Sequence, residues 1–300
     1  MGHQKPRHAL PEPASGSTGK AKGQVRRRVI SVVIVLVGIA ILLYPVVSTA
    51  FNNWMEKRAA GEYSRLVDKG DMSAMHAQLK RADEYNRHRA GVPILDPWSH
   101  DDTAANTAYR DYLSQLNLFD VMARLRIPSI DADLPVYHGT SDDVLTKGIG
   151  HLYGSDLPVG GKGTHAVLTG HTGLKSATLF DNLKDVKVGD SIYIDVYDRK
   201  LRYKVYNIEV VLPDKIDSLK AQSGQDTVTL ITCTPYGVNS HRLLVHAKRV
   251  PYDAPEKASG GRGLPGQLWM WLFGLGAVVA LLLLVLAMRA SRKRSAKSLN

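Results

Sequence analysis

Two long apolar runs constrain the fold of this chain of 300 residues more than any other feature. Residues 29–51 and 267–288 contain no Asp, Glu, Lys or Arg, and each exceeds the roughly 20 residues that a helix needs to cross a bilayer. Trp269 and Trp271, early in the second run, are typical of an interfacial aromatic belt. The first run is longer than a signal-peptide core of about 7–15 residues. The sequence therefore predicts two transmembrane helices, the first of them not cleaved.

The basic residues next to these runs predict the topology. Residues 1–28 contain seven Lys or Arg and one acid, and residues 289–300 contain five and none. These tails account for the whole net charge of +11, so the rest of the chain is balanced and gives little support to a nucleic-acid role. Since positive residues favour the cytoplasmic side, we expect both termini inside, near membrane lipid, and residues 52–266 outside the cell membrane.

Between the two runs the pattern changes from helical to β near residue 118. Residues 1–28 are predicted to be a disordered cytoplasmic tail, and 52–118 a helical extension with a Pro-containing loop at 91–100 and a helix at 101–116. Short β-type runs separated by turns fill 119–251, before a linker at 252–266, the second span and the basic tail 289–300. The runs are 123–127, 132–137, 164–168, 191–196, 201–211, 228–232 and 241–249. This spacing favours a sandwich or a closed barrel.

The one cysteine of the chain, Cys233, lies in the segment predicted to be outside the membrane. An unpaired thiol in an oxidising compartment is a liability unless it is buried or used. Cys233 ends a predicted strand that Pro235 and Gly237 cannot continue, and Arg242 opens the next strand. Antiparallel pairing of these strands would bring Cys233 and Arg242 to the same rim of the sheet.

His171 follows another predicted strand and lies between Gly170 and Gly173. Glycines on either side allow a side chain to project from a tight loop. An imidazole can pair with a thiolate and later protonate a leaving amine, and a permanently charged guanidinium can stabilise a developing oxyanion. Cys233, His171 and Arg242 thus have the chemistry of a nucleophile, a general acid/base and an oxyanion or substrate stabiliser.

These segments resemble the sortase family. Thr229-Leu230-Ile231-Thr232-Cys233 with Arg242 is similar to the signature TLxTC…R, and Leu168-Thr169-Gly170-His171 resembles the catalytic histidine segment. The resemblance implies an eight-stranded sortase-type β-barrel, N-terminal helices and the three roles just given. It also implies a transpeptidase that cleaves an LPxTG-like sorting signal between Thr and Gly. No cofactor is implied, and the residues leave open whether a metal modulates the activity.

A further motif resembles the class C, pilin-polymerising sortases. Asp96-Pro97-Trp98 lies in the loop before the barrel, where those enzymes carry a lid over the cleft, and a second membrane span is typical of them. The resemblance implies Asp96 and Trp98 as lid residues, pilin subunits with sorting signals as partners, and a pilin lysine amine as the acceptor. Alternatively, Asp96 and Trp98 form an ordinary turn with a packed aromatic ring.

Other readings of the same residues remain open. The chain could be a sortase that uses a peptidoglycan amine to attach proteins to the cell wall, or a surface adhesin or scaffold without enzymatic activity. His165 lies six residues before His171, but no third zinc ligand is evident. We interpret His241 and His246, on the strand of Arg242, as structural or surface residues.

Overall fold

The computed structural model describes residues 18–88, 107–215 and 217–254, together with residues 272, 274–276 and 279. Its four α-helices are α1 (Thr18–Lys69), α2 (Met72–His88), α3 (Thr107–Ser114) and α4 (Asp142–Leu145). Its eight strands are β1 (Ala123–Ile127), β2 (Ala132–His138), β3 (Ile149–His151), β4 (Thr164–Thr169), β5 (Ser191–Val196), β6 (Arg199–Val211), β7 (Asp226–Thr234) and β8 (His241–Val250).

Helix α1 is the one described helix that is long and apolar enough, between Val33 and Lys69, to cross a membrane. Length and composition are consistent with a membrane anchor. The helix begins at Thr18, so the prediction of a disordered tail up to residue 28 is wrong over its last residues. Lys, Arg, Ala and Gln between residues 20 and 28 are good helix formers, and extending an existing helix avoids the cost of nucleation.

The second predicted span, 267–288, lies mostly outside the described residues. Those of its positions that the structure describes, residues 272, 274–276 and 279, are helical. Two transmembrane helices therefore stay a prediction. Compact units are formed by residues 1–44 with 274–300, and by residues 45–273. The second unit contains the whole barrel and the candidate site.

The eight strands form a closed barrel in the order β1-β2-β3-β4-β7-β8-β6-β5, which confirms the predicted sortase-type architecture. Parallel pairs join β2 to β3 and β4 to β7, and the other neighbours are antiparallel. Strand β3 was missed by the sequence pattern because three residues are too few to show alternation. Gly150 allows β3 to lie close to the segment that follows β2, because a Cβ at position 150 would lie 2.2 Å from the carbonyl oxygen of Gly139.

Alternation along β7 separates two apolar environments. Val228 and Leu230 belong to the main core, which also contains Met75 and Leu79 of α2. Ile231 belongs to a smaller cluster on the other face, with Leu152, Val167, Leu219 and Leu244. Because successive side chains of a strand point to opposite faces, Cys233 lies on the face of Ile231. The thiol is thus presented outside the main core, at the end of a buried strand.

Candidate active site

The antiparallel pairing of β7 with β8 brings Cys233 directly opposite Arg242. Strand β7 ends at Thr234, one position past Cys233, and β8 begins at His241. The intervening turn has Gly237 at a φ of 74°, in the left-handed region that glycine adopts without strain. The structure therefore confirms that Cys233 and Arg242 lie at the same rim of the sheet.

The guanidinium of Arg242 lies against the thiol. Its Nη1 donates to Sγ of Cys233 at 3.5 Å and also contacts the carbonyl oxygens of Asn239 at 3.3 Å and His241 at 3.4 Å. The exposed fractions are 8% for Arg242 and 9% for Cys233. A positive charge held beside a largely buried sulfur favours the thiolate over the thiol. The two carbonyl contacts fix the direction in which this charge is presented.

His171 reaches the same rim from the other side of β7. Strand β4 pairs in parallel with β7, and the last matched pair is Thr169 with Ile231. The register continues one residue beyond the strand, because Gly170 N donates to the Ile231 carbonyl at 3.1 Å and Thr232 Oγ1 donates to the Gly170 carbonyl at 2.8 Å. One further step along both chains leads to His171 on one side and Cys233 on the other. The three candidate residues thus lie at one rim of three adjacent strands: His171 just after β4, Cys233 near the end of β7 and Arg242 near the start of β8.

The loop after His171 is held by Asp181, a residue that no sequence motif had identified. Oδ1 of Asp181 accepts hydrogen bonds from Thr172 Oγ1 at 3.0 Å and from the Gly173 N–H at 2.7 Å. The Phe180 N–H donates to the His171 carbonyl at 3.1 Å and closes the loop. These contacts join residues that are eight or nine positions apart, which matches neither a helical nor a strand period, so a sequence motif does not predict them.

Burial sets the charge of the imidazole. Desolvation lowers the pKa of His171 below its usual value near 6.5, although the carboxylate of Asp142 at the start of α4 acts in the opposite direction. The imidazole is therefore mainly neutral at pH 7 and can accept a proton. Burial also raises the pKa of Asp181, opposed by the hydrogen bonds from Gly173 and Thr172.

A separate chain of polar side chains crosses the outer face of β4, β7, β8 and β6. His165 Nε2 is 2.6 Å from Thr229 Oγ1, which is 2.8 Å from His246 Nδ1, and His246 Nε2 is 3.0 Å from Glu209 Oε1. His165 and His246 are 4% and 3% exposed, so His246 agrees with the structural interpretation and not with a surface position. His241, half-buried at the start of β8, contacts Ser240 Oγ at 2.9 Å. Within the described ranges no three His, Cys, Asp or Glu side chains form a group that could hold a metal ion.

The predicted lid residues, Asp96 and Trp98, lie outside the described residues. The predicted helix at 101–116 is described only from residue 107 onwards, where α3 begins.

Comparison with known proteins agrees with this site. The sortase domain model matches residues 125–250, which include all three candidate residues. Sortase C-1 from Actinomyces oris is 50% identical, with a TM-score of 0.59, over 60% of this chain and 99% of that chain. Sortase A from Corynebacterium diphtheriae is also 50% identical, with a TM-score of 0.60, over 67% of this chain and 94% of that one.

Curated relatives are matched over less of their length. A sortase A of Bacillus anthracis is 33% identical over 132 residues, which are 44% of this chain and 61% of the relative. A sortase A of Streptococcus agalactiae is matched over 52% of its length. The barrel, the arrangement of Cys233, Arg242 and His171, and the identity over nearly all of the solved A. oris chain lead to one conclusion. This chain belongs to the sortase family, a family of cysteine transpeptidases.

Proposed function

We propose that the chain is a membrane-anchored sortase in which Cys233 is the nucleophile, His171 the general acid/base and Arg242 the stabiliser of the oxyanion. The observation that carries the proposal is the contact between Arg242 Nη1 and Cys233 Sγ at 3.5 Å, at the rim where β4 delivers His171. A charged donor next to the nucleophile can stabilise the thiolate as His171 takes its proton, and the carbonyl oxygen during attack.

The proposed reaction has two acyl-transfer steps. His171 accepts the proton of the Cys233 thiol as Sγ attacks the Thr carbonyl of a Leu-Pro-x-Thr-Gly-like signal. The Thr–Gly bond then breaks as His171 gives this proton to the leaving Gly amine. A thioester then joins the substrate to Cys233. An incoming amine attacks it, transfers a proton to His171, and releases the thiolate as an amide bond forms.

The proposed acceptor is the lysine amine of an incoming pilin, so that the reaction polymerises a pilus. Two observations support it. Sortase C of Streptococcus pneumoniae, whose solved structure is described in terms of pilin substrate specificity, is 39% identical over 66% of this chain with a TM-score of 0.59. The Asp96-Pro97-Trp98 tripeptide also resembles the class C lid. One solved relative, a variant of sortase A from C. diphtheriae, is described as a lid mutant.

Mass spectrometry of the full-length protein tests the acyl-transfer step. Incubation with a sorting-signal peptide should add the mass of the acyl fragment to Cys233, and Cys233→Ala should abolish both this adduct and peptide cleavage. Cys233→Ala is well matched to the wild type because it removes one sulfur atom that lies outside the main core. An adduct on any other residue, or cleavage that persists in Cys233→Ala, would contradict the proposal.

A cell-wall-anchoring role is the second candidate function. Chains named sortase A and chains named sortase C are both among the relatives of this chain, at 50% identity for C. diphtheriae and for A. oris, so the acceptor amine is tested directly. Competition between a pilin-derived lysine peptide and a peptidoglycan-type amine separates the two functions. Exclusive transfer to the second amine would replace the pilin proposal and leave the chemistry of Cys233 unchanged.

A further inference from the structure

The loop that starts at His171 is attached at its far end to helix α1. Thr49 Oγ1 donates to the Lys175 carbonyl at 3.1 Å, and Asn52 Nδ2 donates to the Ser176 carbonyl at 2.8 Å. Thr49 and Asn52 are three residues apart, and Asn53 follows, so all three lie on one face of the helix. This face comes at the end of the long apolar run, which has its last residue at position 51.

Asn53 makes a reciprocal pair of hydrogen bonds with Thr178. Its Nδ2 donates to Thr178 Oγ1 at 2.8 Å, and its Oδ1 accepts from the Thr178 N–H at 3.0 Å. Both the backbone and the side chain of Thr178 are therefore fixed by one amide. Such a two-point contact defines an orientation as well as a distance.

The loop between these contacts and His171 has little freedom to absorb a displacement. It is closed at its base by the Phe180 N–H and the His171 carbonyl, and by Asp181 on Thr172 and Gly173. Ala177 and Leu179 are 1% and 3% exposed, and Phe180 is fully buried. A shift of residues 175–178 is thus transmitted to His171 rather than lost in a flexible segment.

We propose that Asn53, assisted by Asn52, is a positioning residue for His171, and that α1 holds the imidazole at the distance that proton transfer to and from Cys233 requires. The inference rests on the proposed function, because it assigns Asn53 a role through the general acid/base. It makes the helix that follows the apolar run a part of the active-site support.

Energy magnitudes separate positioning from simple stabilisation. Loss of Asn53 removes two hydrogen bonds, each of which contributes little to net stability, so the barrel stays folded. A displacement of about 1 Å at a reacting group can cost about 100-fold in rate. The variant Asn53→Ala should therefore lose about tenfold or more in kcat for acyl transfer with little change in KM.

The pH dependence of Cys233 alkylation by iodoacetamide provides a second readout that does not need the substrate. The full-length protein in detergent has one thiol, so mass spectrometry reports that site alone. His171→Ala should move the midpoint of the alkylation profile, and Asn53→Ala should move it in the same direction by a smaller amount. Asn53→Asp should restore both the midpoint and kcat, because a carboxylate accepts from the Thr178 N–H and from the Thr178 hydroxyl.

Glu62→Ala is the matched control on the same helix. Glu62 is exposed and pairs with Arg65 at 3.0 Å, away from the loop, so its profile and kcat should be those of the wild type. If His171→Ala shifts the alkylation profile and Asn53→Ala does not, the inference about Asn53 is overturned and the proposed role of His171 stands. Unshifted profiles for both overturn the role of His171 and the inference with it. A shift in Glu62→Ala equal to that in Asn53→Ala also overturns it, because any damage to α1 would then suffice.

Discussion

At the scale of single residues, the site depends on one charge beside one thiol. Arg242 is 8% exposed and contacts Cys233 Sγ, while its Nη1 also reaches two backbone carbonyls. The carbonyl contacts compensate part of the cost of burying a guanidinium, and they leave its charge directed toward the sulfur. The same group can thus act on the thiolate before the reaction and on the oxyanion during it.

Replacing Arg242 separates charge from geometry. We expect Arg242→Ala to lower kcat for peptide cleavage by about 100- to 1000-fold, the usual cost of losing an oxyanion donor. Arg242→Lys keeps the charge but loses the planar donor group, so it should recover only part of this loss. Steady-state kinetics on the purified protein measures both. Equal activity of Arg242→Ala and the wild type would contradict the assignment.

His165 makes stability depend on pH. Burial lowers its pKa to about 4, with the Lys220 carbonyl and Asp156 acting in the opposite direction and His246 with the burial. Above pH 6.5 the imidazole is neutral in both the folded and the unfolded chain and has no effect. Below that pH the unfolded chain binds a proton that the folded one does not, so stability is lost between pH 6.5 and about 4, by about 3 kcal/mol.

Thermal unfolding of His165→Gln at pH 7.5 and 4.5 checks this prediction. The variant should lose less stability than the wild type on acidification, because glutamine can still hydrogen-bond to Thr229 and does not titrate. The control variant His88→Gln, which replaces an exposed histidine, should lose as much stability on acidification as the wild type. An acid-induced loss in His165→Gln as large as that of the wild type would refute the prediction.

At the scale of elements, the site is built where strands end. The sequence predicted seven of the eight described strands, and with them the placement of Cys233 opposite Arg242, because alternation and turn residues are local signals. It did not predict β3, the early start of α1, Asp181 or Asn53. The role of Asn53 depends on a contact between residues far apart in the chain, because Asn53 and Thr178 are separated by 125 positions. Side-chain pairing of that kind leaves no period or motif in a single sequence.

Gly170 illustrates how closely these elements approach. A Cβ at this position would lie 2.6 Å from Cδ1 of Ile149 and 2.7 Å from Cδ2 of Phe180, both in the core. We therefore expect Gly170→Ala to destabilise the protein by about 1–3 kcal/mol, the usual cost of overpacking. Gly61→Ala in α1 meets no atom within 4 Å and should stabilise by about 0.5–1 kcal/mol. Denaturant unfolding measures the free energy of unfolding of both variants. Equal changes in Gly170→Ala and Gly61→Ala would contradict the prediction.

The loop at 91–100 is predicted to be a lid over Cys233. Replacing Asp96 and Trp98 together by Ala should then increase the alkylation rate of Cys233 and the hydrolysis of a sorting-signal peptide. The Asp101→Ala and Asp102→Ala exchanges nearby serve as controls for a general effect of lost acidic residues. Labelling of the double variant at the wild-type rate would argue for the ordinary-turn interpretation of this tripeptide.

At the scale of the whole molecule, charge and hydropathy predict the arrangement across the membrane. The described residues contain one helix that could span it, and the second span is a prediction from residues 267–288. With two spans, basic tails at both ends would keep the termini in the cytoplasm and the barrel outside.

Cysteine accessibility on whole cells tests this topology. An impermeant maleimide should label Cys233 in the wild type without permeabilisation. In a Cys233→Ala background, Ser17→Cys and Ser298→Cys should be labelled only after the membrane is opened. Labelling of Ser298→Cys on intact cells would place the C-terminus outside and rule out the two-span arrangement.

The pairing of β4 with β7 has a consequence for the newly made chain. Cys233 and Arg242 belong to one hairpin and can meet early, but His171 reaches them only through a contact between Gly170 and Thr232, 62 residues apart. Contacts of such separation form late because closing a long loop costs entropy. The thiol is therefore without its proton-transfer partner until the barrel closes. Completion of the fold would then also be the moment at which the enzyme becomes reactive, which would protect neighbouring chains during export.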